Sequence, residues 1–362
     1  MLKLKSTLEN LPVYQPGRPI EEVAREMGLA YTDVAKLASN ENPLGPSPAA
    51  LVAMKEAIET SHLYPDGNAF YLKRRLSEKY DLPAKQIILG NGSNELIEFV
   101  AHALLGPNDN IVVSEYCFAI YPIVAKLFGA SVVTVPAVDY GSNLEAIAEA
   151  VSPETKIVFL ANPNNPTGTL ADAESVSKFI ASIPPEVLLV MDEAYIEYLE
   201  NPQDLLPLVR SGDVPNLLLM RTFSKIYGLA GLRIGYGLGG LELVSGLEKI
   251  RQPFNANLVA QAAAVAALGD EEHVDRSREL NRTELHRYEA TCREKGWSFV
   301  PSSANFILLH VGDGSGVYQK LLKKGIITRP MAGYQLPEWL RISVGTAAEN
   351  SRCLSVLEEV LP

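Results

Sequence analysis

QIILGNGSNELIEFVAHALLGPNDNIVVS, residues Gln86 to Ser114, passes from an apolar run through a glycine turn and a helical pattern to a second apolar run. Gln86–Leu89 and Ile111–Ser114 have the length and the Ile/Leu/Val content of strands. Asn94–Leu105 between them repeats its apolar residues at helical spacing. Strand, helix, strand in this order predicts an α/β architecture.

The same rhythm continues outward. Strand candidates follow at Val132–Val135, Ile157–Leu160, Leu188–Met191, Leu217–Met220 and Ile234–Leu238, with helical segments such as Tyr121–Phe128 and Ala171–Ala181 between them. The runs are apolar on both faces, which predicts a seven-stranded, mostly parallel sheet covered by helices on each side. After about Asn255 the pattern changes. An Ala-rich helical stretch (Asn257–Leu268) leads into a charged helix (Glu271–Lys295). Short strands follow near Asn305–His310, Gly325–Thr328 and Leu340–Val344. This reads as a smaller α+β domain. The start of the chain, with Pro12, Pro16, Pro19 and a short helix near Glu21–Met27, reads as an arm. The expected division is 1–37 arm, 38–255 large domain and 256–362 small domain.

Composition agrees with this. At 362 residues the chain exceeds the ~100–200 residues of one domain. Its 47% hydrophobic and 21% charged residues are globular proportions. A net charge of -11 argues against nucleic acid as a partner, since phosphates select basic faces. Cys117, Cys292 and Cys353 have no metal-like spacing and read as free thiols. No signal-like core opens the chain and no apolar run approaches bilayer length, so a cytoplasmic protein without membrane contact is expected.

In open α/β sheets, ligands bind beyond the carboxyl ends of the strands. There the sequence places GNGSNE (90–95), ANPNNPTG (161–168), DEAY (192–195) and RTFSK (221–225), followed by Arg233. Singly, each has an ordinary explanation: loop geometry, a structural turn, a helix cap, a surface lysine. Together, an amine, a carboxylate and an anion-binding turn suit pyridoxal phosphate. That cofactor needs a lysine for its aldehyde and a carboxylate beside its pyridine nitrogen. It also needs donors to its ring oxygen and a helix N-terminus, hydroxyls and an arginine for its phosphate.

At these residues the sequence resembles the fold-type I aminotransferases, and more closely the histidinol-phosphate aminotransferase group. The resemblance runs nearly end to end: YQPGRPIEEVAREMGL (14–29), KLASNENPLGPSP (36–48), YPDG (64–67), GNGSNELI (90–97), NPNNPTGT (162–169), VMDEAYIEY (190–198), RTFSKIYGLAGLRIGYG (221–237), SSANFILL (302–309) and LRISVGT (340–346). It implies Lys225 as the Schiff-base lysine and proton shuttle, Asp192 as partner of the pyridine nitrogen, and Asn165 and Tyr195 as donors to the ring oxygen. Ser93, Asn94, Thr222, Ser224 and Arg233 would hold the cofactor phosphate. Phe118 stands where the family stacks an aromatic ring on the cofactor, without the hydroxyl that many relatives carry. Tyr64 would reach the phosphate in the neighbouring subunit, which implies a homodimer. Arg341 and Arg329 would bind the substrate's acidic group, with Tyr14 and Asn165 beside it.

The implied reaction is transfer of an amino group between histidinol phosphate and 2-oxoglutarate, with glutamate as the other amino acid. An aromatic aminotransferase acting on phenylalanine or tyrosine is the first alternative. A phosphothreonine-type decarboxylase shares most of the motifs and is the second. A non-catalytic regulator would carry a DNA-binding segment, and none precedes the arm.

Overall fold

The computed structural model describes residues 2–9 and 11–361. Its centre is a seven-stranded sheet: β1 (Ile87–Gly90), β2 (Asn110–Ser114), β3 (Ser131–Val135), β4 (Thr155–Ala161), β5 (Leu188–Asp192), β6 (Leu217–Thr222) and β7 (Gly235–Gly239). The spatial order is β1-β7-β6-β5-β4-β2-β3, and β7 alone runs antiparallel to both its neighbours.

Alternation along the strands explains the two covered faces. Val158, Leu160, Leu189, Met191, Leu217 and Leu219 point into one apolar core. Ile157, Phe159, Leu188, Val190, Leu218 and Met220 point into the other. A strand buried on both faces loses the polar alternation of a half-exposed one, which is why these runs read as continuous hydrophobics. β3 departs from the expectation of burial on both faces: it is an edge strand, and Ser131 and Thr134 are exposed.

A smaller sheet gathers β8 (Phe299–Val300), β9 (Phe306–His310), β10 (Arg329–Met331) and β11 (Leu336–Ser343) in the antiparallel order β10-β11-β9-β8. The helices Glu271–Lys295 and Ala347–Val360 pack on it, the latter opened by a Thr346/Glu349 capping box. The expected strand at Gly325–Thr328 lies outside this sheet. Ile326–Ile327 pairs instead in parallel with Ala35–Lys36.

That pairing ties residues 1–37, expected as an arm, to the small unit. Val23, Ala24 and Val34 are buried against Leu322 and Ile327, and Ala35 and Leu37 join the small unit's core. The boundary expected after residue 255 also cuts through close packing. The helix Leu258–Ala267 lies against Pro48–Ile58, and its Ala260, Ala263, Ala264 and Ala267 belong to the large unit's core. Small side chains let two helices approach closely, a reason a composition change marks no boundary here.

Candidate active site

The carboxyl ends of β1, β4, β5 and β6 open on one side of the large sheet. Because β7 is antiparallel, its beginning lies on that same side, and Arg233 stands just before it. A cavity of about 360 Å³ occupies this edge, within the ~300–1,000 Å³ of small-molecule sites. Tyr14, Ser93, Asn94, Phe118, Asn165, Asp192, Tyr195, Thr222, Ser224, Lys225 and Arg233 all line it.

At one end lies the first turn of α1 (Ser93–Leu104), whose N-cap position is Gly92 with φ 77° and no side-chain cap. Its free N–H groups and positive end favour an anion. A Cβ on Gly92 would displace the Arg233 guanidinium, and the positive φ favours glycine there. Arg233 itself has φ 56° and donates to Ser224 Oγ at 3.2 Å and to the Ala230 carbonyl at 3.1 Å. Thr222 Oγ1 accepts the Ser224 N–H at 3.1 Å, which fixes the turn that carries both hydroxyls.

On the cavity floor, Asp192 is buried, and burial raises its proton affinity, opposed by its hydrogen bonds and by Lys225. Tyr121 donates to Asp192 Oδ2 at 2.6 Å, and the Ala194 N–H donates to Oδ1 at 3.1 Å. Lys225 Nζ donates to the Ser39 carbonyl at 3.1 Å and lies 5.7 Å from the centre of the Tyr195 ring. Burial, reinforced by the nearby Arg341, lowers its pKa to about 8. Burial pushes the Tyr195 phenol up to about 12, against the pull of Arg341. Phe118 meets Tyr121 edge-on, with centroids 5.6 Å apart.

Arg341, on β11, meets this cavity through Asn165, one of its lining residues. It is buried, donates to Asn165 Oδ1 and to the Ala38 carbonyl, and leaves its buried Nε without a partner. Arg329 sits directly opposite it in the β10–β11 register. Arg329 donates to the Gln15 carbonyl and lies 5.6 Å over the Tyr14 ring. Of the expected residues, Arg341, Arg329 and Tyr64 do not line the cavity; Tyr64 is 82% exposed and stacks on Phe254 at 4.7 Å.

These residues fit the group that the sequence leads one to expect. A buried carboxylate with unfavourable desolvation, a lysine of lowered pKa and an anion-binding helix end share one small cavity. Four contributors escaped the sequence reading. Tyr121, on the helix α2 (Ile120–Leu127), reads as a core residue, and only its place three positions after Phe118 hints at the site. Asn40 donates to Tyr195 Oη at 2.9 Å, and the Ser39 and Ala38 carbonyls take Lys225 and Arg341. Backbone carbonyls leave no residue-type signal.

The three cysteines are unpaired. Among the described residues no metal-ligating cluster occurs, and no helix is long and apolar enough to cross a membrane.

The profile of the family "Aminotransferase class I and II" matches residues 32–357. The chain is 49% identical over 352 residues to the histidinol-phosphate aminotransferase of Akkermansia muciniphila, covering 97% of this chain and 96% of that protein. It is 48% identical over 355 residues to histidinol-phosphate aminotransferase 2 of Pseudomonas fluorescens, covering 98% and 96%. Among solved structures, the histidinol-phosphate aminotransferase of Sinorhizobium meliloti in complex with pyridoxal-5'-phosphate superposes with a TM-score of 0.89 at 30% identity, covering 99% of this chain and 98% of that one.

Proposed function

The chain belongs to the class I and II aminotransferase family, and from that footing we propose that it transfers an amino group from histidinol phosphate to 2-oxoglutarate with pyridoxal phosphate as cofactor. The relatives named above carry the histidinol-phosphate name, and nothing in those names favours an aromatic amino acid.

The observation that carries the substrate is the Arg329–Arg341 pair. Directly opposed residues of an antiparallel pair share one face, and like charges there are destabilising. Arg341 pays twice, since burial and the Arg329 charge both lower its proton affinity. A phosphate dianion relieves both guanidinium groups and can take the unpartnered Nε of Arg341. A single carboxylate relieves one.

When bound, the cofactor supplies an electron sink for charge that develops on the substrate carbon. Ser93, Asn94, Thr222, Ser224 and Arg233 hold its phosphate at the α1 N-terminus. Asp192 holds a proton on the ring nitrogen, and Tyr121 and the Ala194 N–H keep that carboxylate aimed. Asn165, whose Oδ1 is taken by Arg341, is left with its amide hydrogens to give to the ring oxygen. Phe118 packs on the ring. Lys225 Nζ anchors the cofactor and then moves the proton at the amine-bearing carbon of the substrate.

The protein works as a homodimer in this reading. Tyr64, Leu63, Phe70, Tyr71 and Phe254 form exposed apolar surface around a phenol with no role in its own cavity. A second copy placing Tyr64 at the neighbouring phosphate site accounts for that exposure. Incubating the loaded protein with histidinol phosphate and 2-oxoglutarate should produce glutamate; none forming would overturn the proposal.

A further inference from the structure

Asn40 is buried where the segment leaving the first residues meets β11 and the large unit. Its backbone is left-handed, φ 55°, a conformation Asn tolerates better than most residues that carry a Cβ. The Asn40 N–H donates to Ser343 Oγ at 2.8 Å, and the Ser343 hydroxyl donates back to Asn40 Oδ1 at 2.8 Å. With Oδ1 committed to the serine, the amide Nδ2 faces the other way and donates to Tyr195 Oη at 2.9 Å. Asn305 Nδ2 donates to the Asn40 carbonyl at 3.0 Å and fixes the backbone from a third side.

A phenol has one hydrogen to give. Tyr195 Oη already accepts from Asn40, and among the described residues no group accepts the Tyr195 hydrogen. Tyr195 lines the cavity.

We infer that Asn40 is a positioning residue that turns the Tyr195 hydroxyl hydrogen into the cavity, toward the ring oxygen of the bound cofactor. The inference rests on reading Tyr195 as a donor to that oxygen. A donor chain from Asn40 through Tyr195 polarises along its length, so the second bond is stronger than Tyr195 would make alone. The hydroxyl draws charge from the ring oxygen, which becomes a weaker acceptor for the proton it shares with the nitrogen from Lys225. That proton therefore leaves at a lower pH than it would without Asn40.

The measurement is the pH midpoint of the colour change of the cofactor-loaded protein, which a merely structural residue would not move. Tyr195→Phe should raise the midpoint by about one unit, the worth of one hydrogen bond to a charged group. Asn40→Gly keeps the left-handed backbone and should raise it by roughly half as much. In the double variant the midpoint should match that of Tyr195→Phe alone, because Asn40 acts only through the phenol. Asn40→Asp keeps the shape and the backbone preference, and serves should the Gly variant fail to fold. Its carboxylate would accept the Tyr195 hydrogen, and should raise the midpoint as far as Tyr195→Phe does. A Tyr195→Phe midpoint equal to the wild-type value would remove the reading of Tyr195 itself. A shifted Tyr195→Phe beside unshifted Asn40 variants, or additive shifts in the double variant, would overturn the inference alone.

Discussion

The Tyr121 hydroxyl donates to Asp192 Oδ2 at 2.6 Å, from a ring stacked flat on Phe159 at 4.5 Å. The carboxylate thus reaches the cavity already oriented by a side chain that lines the same cavity. Tyr121→Phe keeps the stacking and removes the donor. Burial already raises the Asp192 pKa, and losing a bond that opposes this raises it further. Binding of the cofactor by the apoprotein should then fail about one pH unit higher on the acid side. Affinity titrations across pH check it, and an unchanged profile would reduce Tyr121 to packing.

Lys225 in the apoprotein has a pKa of about 8, and only the neutral amine attacks an aldehyde. The rate of cofactor capture should therefore climb as pH rises through about 8 and level off above it. Lys225→Ala should fold, bind the cofactor reversibly and lose amino transfer. Borohydride trapping of the cofactor on a different lysine would refute the placement.

On the turn Ile196–Tyr198, directly after Tyr195, both carboxylate oxygens of Glu197 are buried without a hydrogen-bond partner. Burial, opposed by Arg221 and Lys79 and aided by Glu193, raises its pKa to about 7. The folded state holds this proton more tightly than the unfolded chain. Stability therefore falls as pH climbs from the ordinary carboxylate range to about 7, and the loss is complete above it. Glu197→Gln should equal the wild type in acid and exceed it above neutrality by up to about 3 kcal/mol. Denaturant unfolding at both pH values measures the difference, and a gain of equal size at both would show that Glu197 does not titrate.

Tyr64 predicts rescue between defective subunits. Tyr64→Ala should weaken cofactor binding roughly ten- to hundred-fold, the cost of one bond to a charged phosphate. Mixing it with inactive Lys225→Ala should restore activity, since one site of each hybrid then holds both an intact Lys225 and an intact Tyr64. No recovery after subunit exchange would place Tyr64 outside the neighbouring site.

The large sheet was legible because strands buried on both faces write themselves as apolar runs, and because site residues cluster at strand ends. The strands of the large sheet begin and end within two residues of their expected bounds, the sort of offset that fraying ends produce. What stayed illegible depends on contacts distant in sequence. Nothing local tells that Ala35–Lys36 will pair with Ile326–Ile327, or that Leu258–Ala267 will settle on Pro48–Ile58. Asn40 sits in a string that was read for its resemblance alone, and its partners Tyr195 and Ser343 lie 155 and 303 residues away.

The substrate claim is tested most directly by rapid mixing of the loaded protein with one amino donor at a time, following the cofactor's absorbance. The wild type should react with a far higher kcat/KM toward histidinol phosphate than toward phenylalanine. Arg329→Ala should cost histidinol phosphate roughly ten- to hundred-fold. Phenylalanine, whose single carboxylate needs only Arg341, should be left unchanged. A wild type that prefers phenylalanine, or an Arg329→Ala protein that loses both substrates equally, would contradict the account.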